Sequence, residues 1–310
     1  MIVLGGSASM SLARDIAAYM RADFAAVLLE RFPDGEMHVE VNASLRGKDT
    51  FIVQATTPPA EQRLMELLLV IDACRRAGAS RITVVTPYFG YARQDRRANG
   101  REAIAARLIA DLLATAGAQR IVAVDLHSPV LEGFFSMPLE HLTAAPILAA
   151  MASSLAPRES VILAPDLGAA KLAEVYARLL SLPVAIVHKE RVSGSEVSVR
   201  TITGEVAGRA LVVVDDMISS GGTVDAAVRA ALRAGARAEV LIITSHALLV
   251  GPAIQRLEAL PVLAFVTSDT VPPGAAVAPA SHIATVAPLL ADAINRLHSG
   301  KSLSDLLVHR

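Results

Sequence analysis

The chain is predicted to be an α/β protein of two related domains, each a mainly parallel sheet flanked by helices, and three observations carry that prediction. From Met1 onward, short runs of β-branched and aliphatic residues alternate with amphipathic, alanine-rich ones, as strands and covering helices do. A helix-closing phrase recurs: Ala77-Gly78-Ala79-Ser80-Arg81 leads into ITVVTP, Ala116-Gly117-Ala118-Gln119-Arg120 into IVAVDLH, and Ala234-Gly235-Ala236-Arg237-Ala238 into EVLIITSH. Each glycine can take the left-handed conformation that ends a helix before the next strand. Two phrases fall in the first half and one in the second, so the chain is two related units and not a short-period solenoid. Finally, Leu211–Thr223 reads LVVVDDMISSGGT, an apolar strand that ends in two acids and turns through serines and glycines into a helix closed by Gly235.

A length of 310 residues suits two domains of ordinary size. The join is expected near Thr143–Pro146, after the loop-like SPVLEGFFSMP, giving domains 1–145 and 146–310 with the last segment, about 295–310, packing back on the first. No Gly/Ser linker is visible, so the domains are expected to pack together and share a site.

In chain order, MIVL is the first strand. Pro33-Asp34-Gly35 marks a turn between strand-type residues in RFPDGEMHVEV. LMELLLVIDAC is an apolar helix with Cys74 as a small core residue. The strand ITVVTP is followed by YFGYARQDRRANGREA, where Arg93, Arg96, Arg97 and Arg101 stand beside aromatic rings, with Arg107 nearby. Guanidinium groups and rings at the carboxyl end of a strand suit a nucleoside triphosphate: the base stacks and the arginines hold phosphate oxygens. VAVDLHS puts His127 after the next strand, with Asp125 expected on the same face by the period of two. A strand-end histidine beside a loop is either a satisfied core residue or a metal ligand. His38, His141, His188, His246 and His282 lack that setting and are read as structural.

In the second half, VILAPDLGAAK is a buried strand followed by Asp166 and a helix start carrying Lys171. AIVHKER ends a strand in Lys189 and Arg191, at the root of a polar Gly/Ser-containing loop; such cations are either solvated or a mobile clamp over phosphates. In the Leu211–Thr223 joint, helix-start N–H groups near Thr223 and the freedom of Gly221 and Gly222 make an anion site. Asp215 and Asp216 carry a phosphate's own sign and suit sugar hydroxyls or a metal ion. A phosphorylated sugar satisfies both halves.

Composition narrows the classes. A net charge of −1 gives no support for a nucleic-acid or membrane-surface binder. A single cysteine leaves no internal disulfide and fits a reducing cytoplasm. Mean hydropathy is +0.47, yet no run of about 18 apolar residues is available to span a bilayer. No secretory signal is apparent ahead of MIVL, so the expected location is cytoplasmic.

The Leu211–Thr223 stretch resembles the phosphoribosyl-diphosphate loop of the type I phosphoribosyltransferases and of the ribose-phosphate diphosphokinases. RFPDGE, SLRGKDTFIVQ, LMELL, YARQDRR, VDLHS, APDLGAAK, HKER, GPAI and VAPLLADAINRLHSGKSLSDLL extend the resemblance to the diphosphokinases over nearly the whole chain. What it implies is two domains of the type I phosphoribosyltransferase kind and transfer of the β,γ-diphosphoryl group of ATP to the 1-hydroxyl of ribose 5-phosphate, with release of AMP. By position it assigns Phe32, Asp34 and Glu36 to the adenine, and Arg93 and Gln94 to the nucleotide. His127 and Asp166 are the magnesium-linked pair. Asp215 and Asp216 take the ribose hydroxyls, Ser219, Ser220, Gly221, Gly222 and Thr223 take the 5-phosphate, and Lys189 and Arg191 are catalytic. It also implies a homo-oligomer, hexameric or built from dimers, whose family regulation by phosphate and ADP maps to Ser44, Arg46 and Arg101.

The chain departs from the family pattern at Ser219, where an aspartate is common, and at Ala169, Ala98 and Glu102. Two other readings are a nucleobase phosphoribosyltransferase, which shares the acidic loop but needs no ATP, and a catalytically silent regulatory homologue. The retained Lys189, Arg191, His127 and Asp166 speak against the second.

Overall fold

The computed structural model describes residues 1–97, 99–191, 197–272, 278 and 280–308, and the side chains of residues 189–200 lie outside that description. The described chain forms two compact units, the first holding Met1–Thr143, Thr270–Pro272 and the segment from Thr285, the second starting at Ala144.

The first unit carries β1 (Ile2–Gly5), β2 (Asp23–Arg31), β3 (Met37–Val41), β4 (Asp49–Val53), β5 (Arg81–Thr86), β6 (Arg120–Val124) and β7 (Leu139–Leu142) in one sheet of order β3-β2-β1-β4-β5-β6-β7. The second carries β8 (Ser160–Ala164), β9 (Val184–Arg191), β10 (Val197–Thr203), β11 (Ala210–Ile218), β12 (Val240–Ala247), β13 (Val262–Ser268) and β14 (Ser281–Ala284), ordered β10-β9-β8-β11-β12-β13-β14. Advancing every label of the first order by seven reproduces the second. In each sheet an antiparallel pair stands at the same edge, β2 with β3 and β9 with β10. The two related units of the sequence are therefore one topology used twice.

Helices α1 (Met10–Met20), α2 (Ala60–Arg76) and α3 (Ala105–Ala116) belong to the first unit; α4 (Ala145–Ser153), α5 (Ala170–Leu180), α6 (Gly222–Arg233) and α7 (Ala253–Glu258) belong to the second. β4 and β8 are buried along their full length, as parallel strands with both faces covered must be. One core joins Leu4, Ile52, Val84 and Ile121 of the first sheet to Leu67, Ile71, Cys74, Ile109 and Leu113 of α2 and α3. The other joins Leu163, Leu211, Ile242 and Phe265 of the second sheet to Val224, Ala227 and Val228 of α6. Burial pushes the Cys74 thiol up to about 12, which suits an inert core residue.

The phrases that close helices do so as expected: Gly78, Gly117 and Gly235 have φ of 80°, 125° and 91°. The chain contributes Thr270–Pro272 to the first unit and belongs to it again from Thr285. There α8 (Ala287–Ser299) packs on α1, burying Leu290 and Ile294. It is tied down by a polar cluster. Arg81 bonds both oxygens of Asp49, His298 Nδ1 reaches Asp49 Oδ2 at 2.7 Å, and Arg81 Nη2 donates to the carbonyl of Leu297 at 3.3 Å.

Because β1, β2, β4, β5 and β6 run parallel, the turns that follow them leave from one edge of the sheet. The same holds for β8, β9, β11, β12 and β13 in the second sheet. Every site residue proposed from the sequence lies at or just beyond such a carboxyl edge, where open α/β sheets bind ligands.

Candidate active site

In the second unit β11 does not stop before its acids; it runs through Asp215 and Asp216 to Ile218. β12 accompanies it that far, with Asp215 opposite Thr244 and Ile218 opposite Ala247, whereas the last partner on the β8 side is Leu163, opposite Val213. The two acids thus stand past the end of β8, on the side from which Asp166 follows. Burial raises the pKa of Asp215 well above the usual carboxylate range; the charge of Asp216, a side-chain bond with Asp216 and the charge of Asp166 push the same way. The Asp216 N–H, donating to Asp215 Oδ1 at 3.0 Å, only partly offsets them. Three carboxylates interacting at one edge are a surplus of negative charge that hydroxyl donors or a cation would relieve.

The loop from Ser219 to Thr223 then turns sharply. Gly221 has φ of 75°, a conformation open to glycine without steric cost, and caps α6. The first helical bond runs from Asp225 N–H to the Gly221 carbonyl at 2.9 Å, and the N–H groups before it have no partner within the helix. Two bonds hold the loop from outside: Val250 N–H donates to Ser219 O at 3.0 Å, and Arg256 Nη1 donates to Ser220 O at 2.8 Å. The guanidinium of Arg256 also lies against Gly222, 3.3 Å from where a Cβ would be. Positive charge and helix N–H groups therefore converge on this loop, as an anion requires.

Asp166 caps a short 3₁₀ turn, Leu167–Ala169, that leads into α5; its Oδ1 accepts from Ala169 N–H at 3.3 Å. The backbones of Lys189 and Arg191 end β9, paired with Val199 and Val197 of β10. The side chains of Lys189 and Arg191, and the loop residues 192–196, lie outside the described residues.

In the first unit the Pro-Asp-Gly turn joins β2 to β3. Phe32 N–H donates to Glu36 O at 2.9 Å, and Glu36 N–H donates to Asp34 Oδ1 at 3.0 Å. The Phe32 ring, half exposed, leans on His38 with ring centres 5.6 Å apart. Phe32, Asp34 and Glu36 thus share one hairpin tip. Arg93 and Gln94 belong to a different strand end, after β5, and β1 and β4 lie between. Their turn is closed by Gln94 N–H on Tyr91 O at 2.8 Å, and both side chains are exposed.

The Asp125–Ser128 turn after β6 differs from the expected pattern. Asp125 takes φ of 40°, which breaks the strand's alternation, so Asp125 is buried while His127 is exposed. His127 acts electrostatically on Asp95, from the turn after β5. The bond from Arg96 lowers the Asp95 pKa most; burial opposes it, and Ser128 and the His127 charge lower it further. The YARQDRR segment and the histidine segment are therefore adjacent. Among the described residues no three His, Cys, Asp or Glu side chains converge as an all-protein metal cage would need.

Comparison with known proteins supplies the family. Residues 1–117 match the model of the N-terminal domain of ribose phosphate pyrophosphokinase, and residues 144–257 match that of the phosphoribosyl transferase domain. The ribose-phosphate pyrophosphokinase of Rhodopirellula baltica is 41% identical over 312 residues, covering 99% of this chain and 98% of its own. The chain belongs to the ribose-phosphate pyrophosphokinase family. A second member, from Caldanaerobacter subterraneus subsp. tengcongensis, is 40% identical over 98% of this chain and 96% of its own. The crystal structure of phosphoribosylpyrophosphate synthetase from Mycobacterium smegmatis superposes with a TM-score of 0.89 at 37% identity, covering 96% of this chain and 99% of that one.

In this member of the ribose-phosphate pyrophosphokinase family, two side chains beside the candidate site are not legible in the sequence. Arg256 supports the Ser219–Thr223 loop from α7, and the GPAI phrase stands just before it. Asp95 lies inside YARQDRR, but a carboxylate repels nucleotide phosphates, and its place makes sense only once it is seen beside His127.

Proposed function

We propose that the edge of the second sheet binds ribose 5-phosphate and that of the first binds ATP, for the family's reaction. That reaction converts ATP and ribose 5-phosphate to 5-phosphoribosyl 1-diphosphate and AMP. The observation that carries the proposal is the joint at the end of β11. Surplus carboxylate charge and helix-start N–H groups stand a few residues apart there, a combination that suits a sugar bearing a phosphate. Asp215 and Asp216 take the ribose hydroxyls, and Ser219 through Thr223 take the 5-phosphate.

Arg93 and Gln94 hold the nucleotide, and Phe32, Asp34 and Glu36 take the adenine. The 1-hydroxyl oxygen forms the new bond to the β-phosphorus as the bond from that phosphorus to the oxygen of AMP breaks, and the hydroxyl proton is released to solvent. Lys189 and Arg191 neutralise charge developing on the transferred group, since such transfers depend on positioning and charge more than on covalent help. Magnesium prefers oxygen ligands, and the carboxylates beside Asp166 suit it. His127 and Asp166 are the residues that would hold it, and the bound ion would supply charge neutralisation to phosphate oxygens. The negative charge gathered around Asp166 and Asp215 supports that reading.

We place the reaction in the cytoplasm, where ATP is plentiful. No helix among the described residues is long and apolar enough to cross a membrane. Assembly into a homo-oligomer is supported by an uncovered apolar stripe formed by Ile104, which caps α3, and Leu108 and Leu112 along it. The assay is direct. With magnesium, ATP and ribose 5-phosphate the protein should release AMP; release of ADP, or of pyrophosphate from a phosphoribosyl donor and a nucleobase, would overturn the proposal.

A further inference from the structure

His141, on β7, bears on the turn that carries His127. Its ring is buried, 3% exposed, and its Nε2 accepts the N–H of Leu126 at 2.8 Å. Its Nδ1 lies 3.2 Å from Glu132 Oε1. A nitrogen that accepts from an amide has a lone pair, so the ring proton sits on Nδ1 and donates to the carboxylate. Glu132 thereby selects the tautomer that leaves Nε2 able to accept. One residue earlier, Asp125 N–H donates to Leu142 O at 2.9 Å. Two successive amides of the turn are thus held by two successive residues of β7, directly before His127. The turn needs such support, since Asp125 sits at φ of 40°, a region that costs a non-glycine residue free energy.

We propose that His141, oriented by Glu132, is a positioning residue for nucleotide binding, fixing the Asp125–Ser128 turn so that His127 is presented toward magnesium·ATP. The inference rests on the reading of His127 given above. Histidine is used here as an acceptor placed by a carboxylate, and loss of such outer support typically costs roughly 10–100-fold in affinity at a metal site. A hydrophobic side chain of similar size would fill the space and leave the Leu126 N–H buried without a partner. Glutamine carries a carbonyl oxygen at about the reach of Nε2 and should restore the bond.

The experiment uses calorimetric binding of magnesium·ATP to the full chain, with hydrogen exchange of the Leu126 amide and the thermal transition measured alongside. His141→Phe is expected to fold, to exchange Leu126 faster and to bind magnesium·ATP about 10–100-fold more weakly, while ribose 5-phosphate affinity is unchanged. His141→Gln is expected to recover most of that loss. A folded His141→Phe with normal magnesium·ATP affinity, beside a His127→Ala variant that has lost it, would overturn the inference alone. Normal affinity in His127→Ala would overturn the reading of His127 and the inference with it. Should His141→Phe not fold, Glu132→Ala reads the same chain of bonds: faster Leu126 exchange with weaker nucleotide binding upholds the inference, and unchanged values for both overturn it.

Discussion

Arg256 donates from Nη1 to the carbonyl of Ser220 at 2.8 Å, so the loop assigned to the 5-phosphate is braced by a guanidinium from another helix. Arg256→Ala removes that brace and a positive charge near the anion. The net worth of one such bond is about 1 kcal/mol, which corresponds to roughly fivefold in affinity. Titration calorimetry should show ribose 5-phosphate weakened by about that factor and ATP unaffected. Equal weakening of both ligands would mean a general loss of structure.

Lys189 and Arg191 are assigned to charge that develops only as the diphosphoryl group transfers. Lys189→Ala should then lower kcat and kcat/KM together, by roughly 10²–10³, with dissociation constants for ATP and ribose 5-phosphate nearly unchanged. Near-normal kcat in both Lys189→Ala and Arg191→Ala would remove the two residues from the mechanism.

Stability should fall in acid partly through Asp49. Burial raises its pKa, but the bonds from Arg81 and His298, with their charges, outweigh burial and hold it below the ordinary value. A carboxylate whose folded pKa is depressed stabilises the fold above its unfolded pKa, about 3.9, and that contribution is lost as pH falls through the lower folded value. Asp49→Asn should cost about 1.5–3 kcal/mol at pH 7, because Arg81 and His298 lose a charged partner. Urea unfolding across pH should show the gap between variant and parent closing below about pH 4. A gap constant with pH would contradict the ionic account.

The apolar stripe on α3 gives a test of assembly. Leu108 is 57% exposed, and Leu108→Glu should shift the sedimentation profile toward smaller species if copies meet there. An unchanged profile would exclude that face as the contact.

Much of this was legible in the sequence because the signals are local. Buried parallel strands read as unbroken apolar runs, the glycines after Ala77, Ala116 and Ala234 stop helices, and Pro33-Asp34-Gly35 makes its hairpin. The acids and glycines of the β11–α6 joint also lie within one short stretch. What the sequence did not reveal depends on distant partners. β11 continues past Asp215 because β12 pairs with it there, and no local pattern records that pairing. Alternation puts Asp125 and His127 on one face, and the positive φ of Asp125 abolishes that alternation. The bond from the Leu126 amide to His141, 15 residues away, has no local signature either. α8 carries an ordinary amphipathic pattern that does not say which unit it joins.

The division of the two ligands between the two sheet edges is tested most directly by paired calorimetry on two variants. Asp215→Asn combined with Asp216→Asn should abolish measurable ribose 5-phosphate binding and leave ATP affinity within about twofold, a difference below roughly 0.5 kcal/mol. Arg93→Ala should do the reverse. If the aspartate variant lost ATP and kept the sugar phosphate, the division of the site between the two sheets would be wrong.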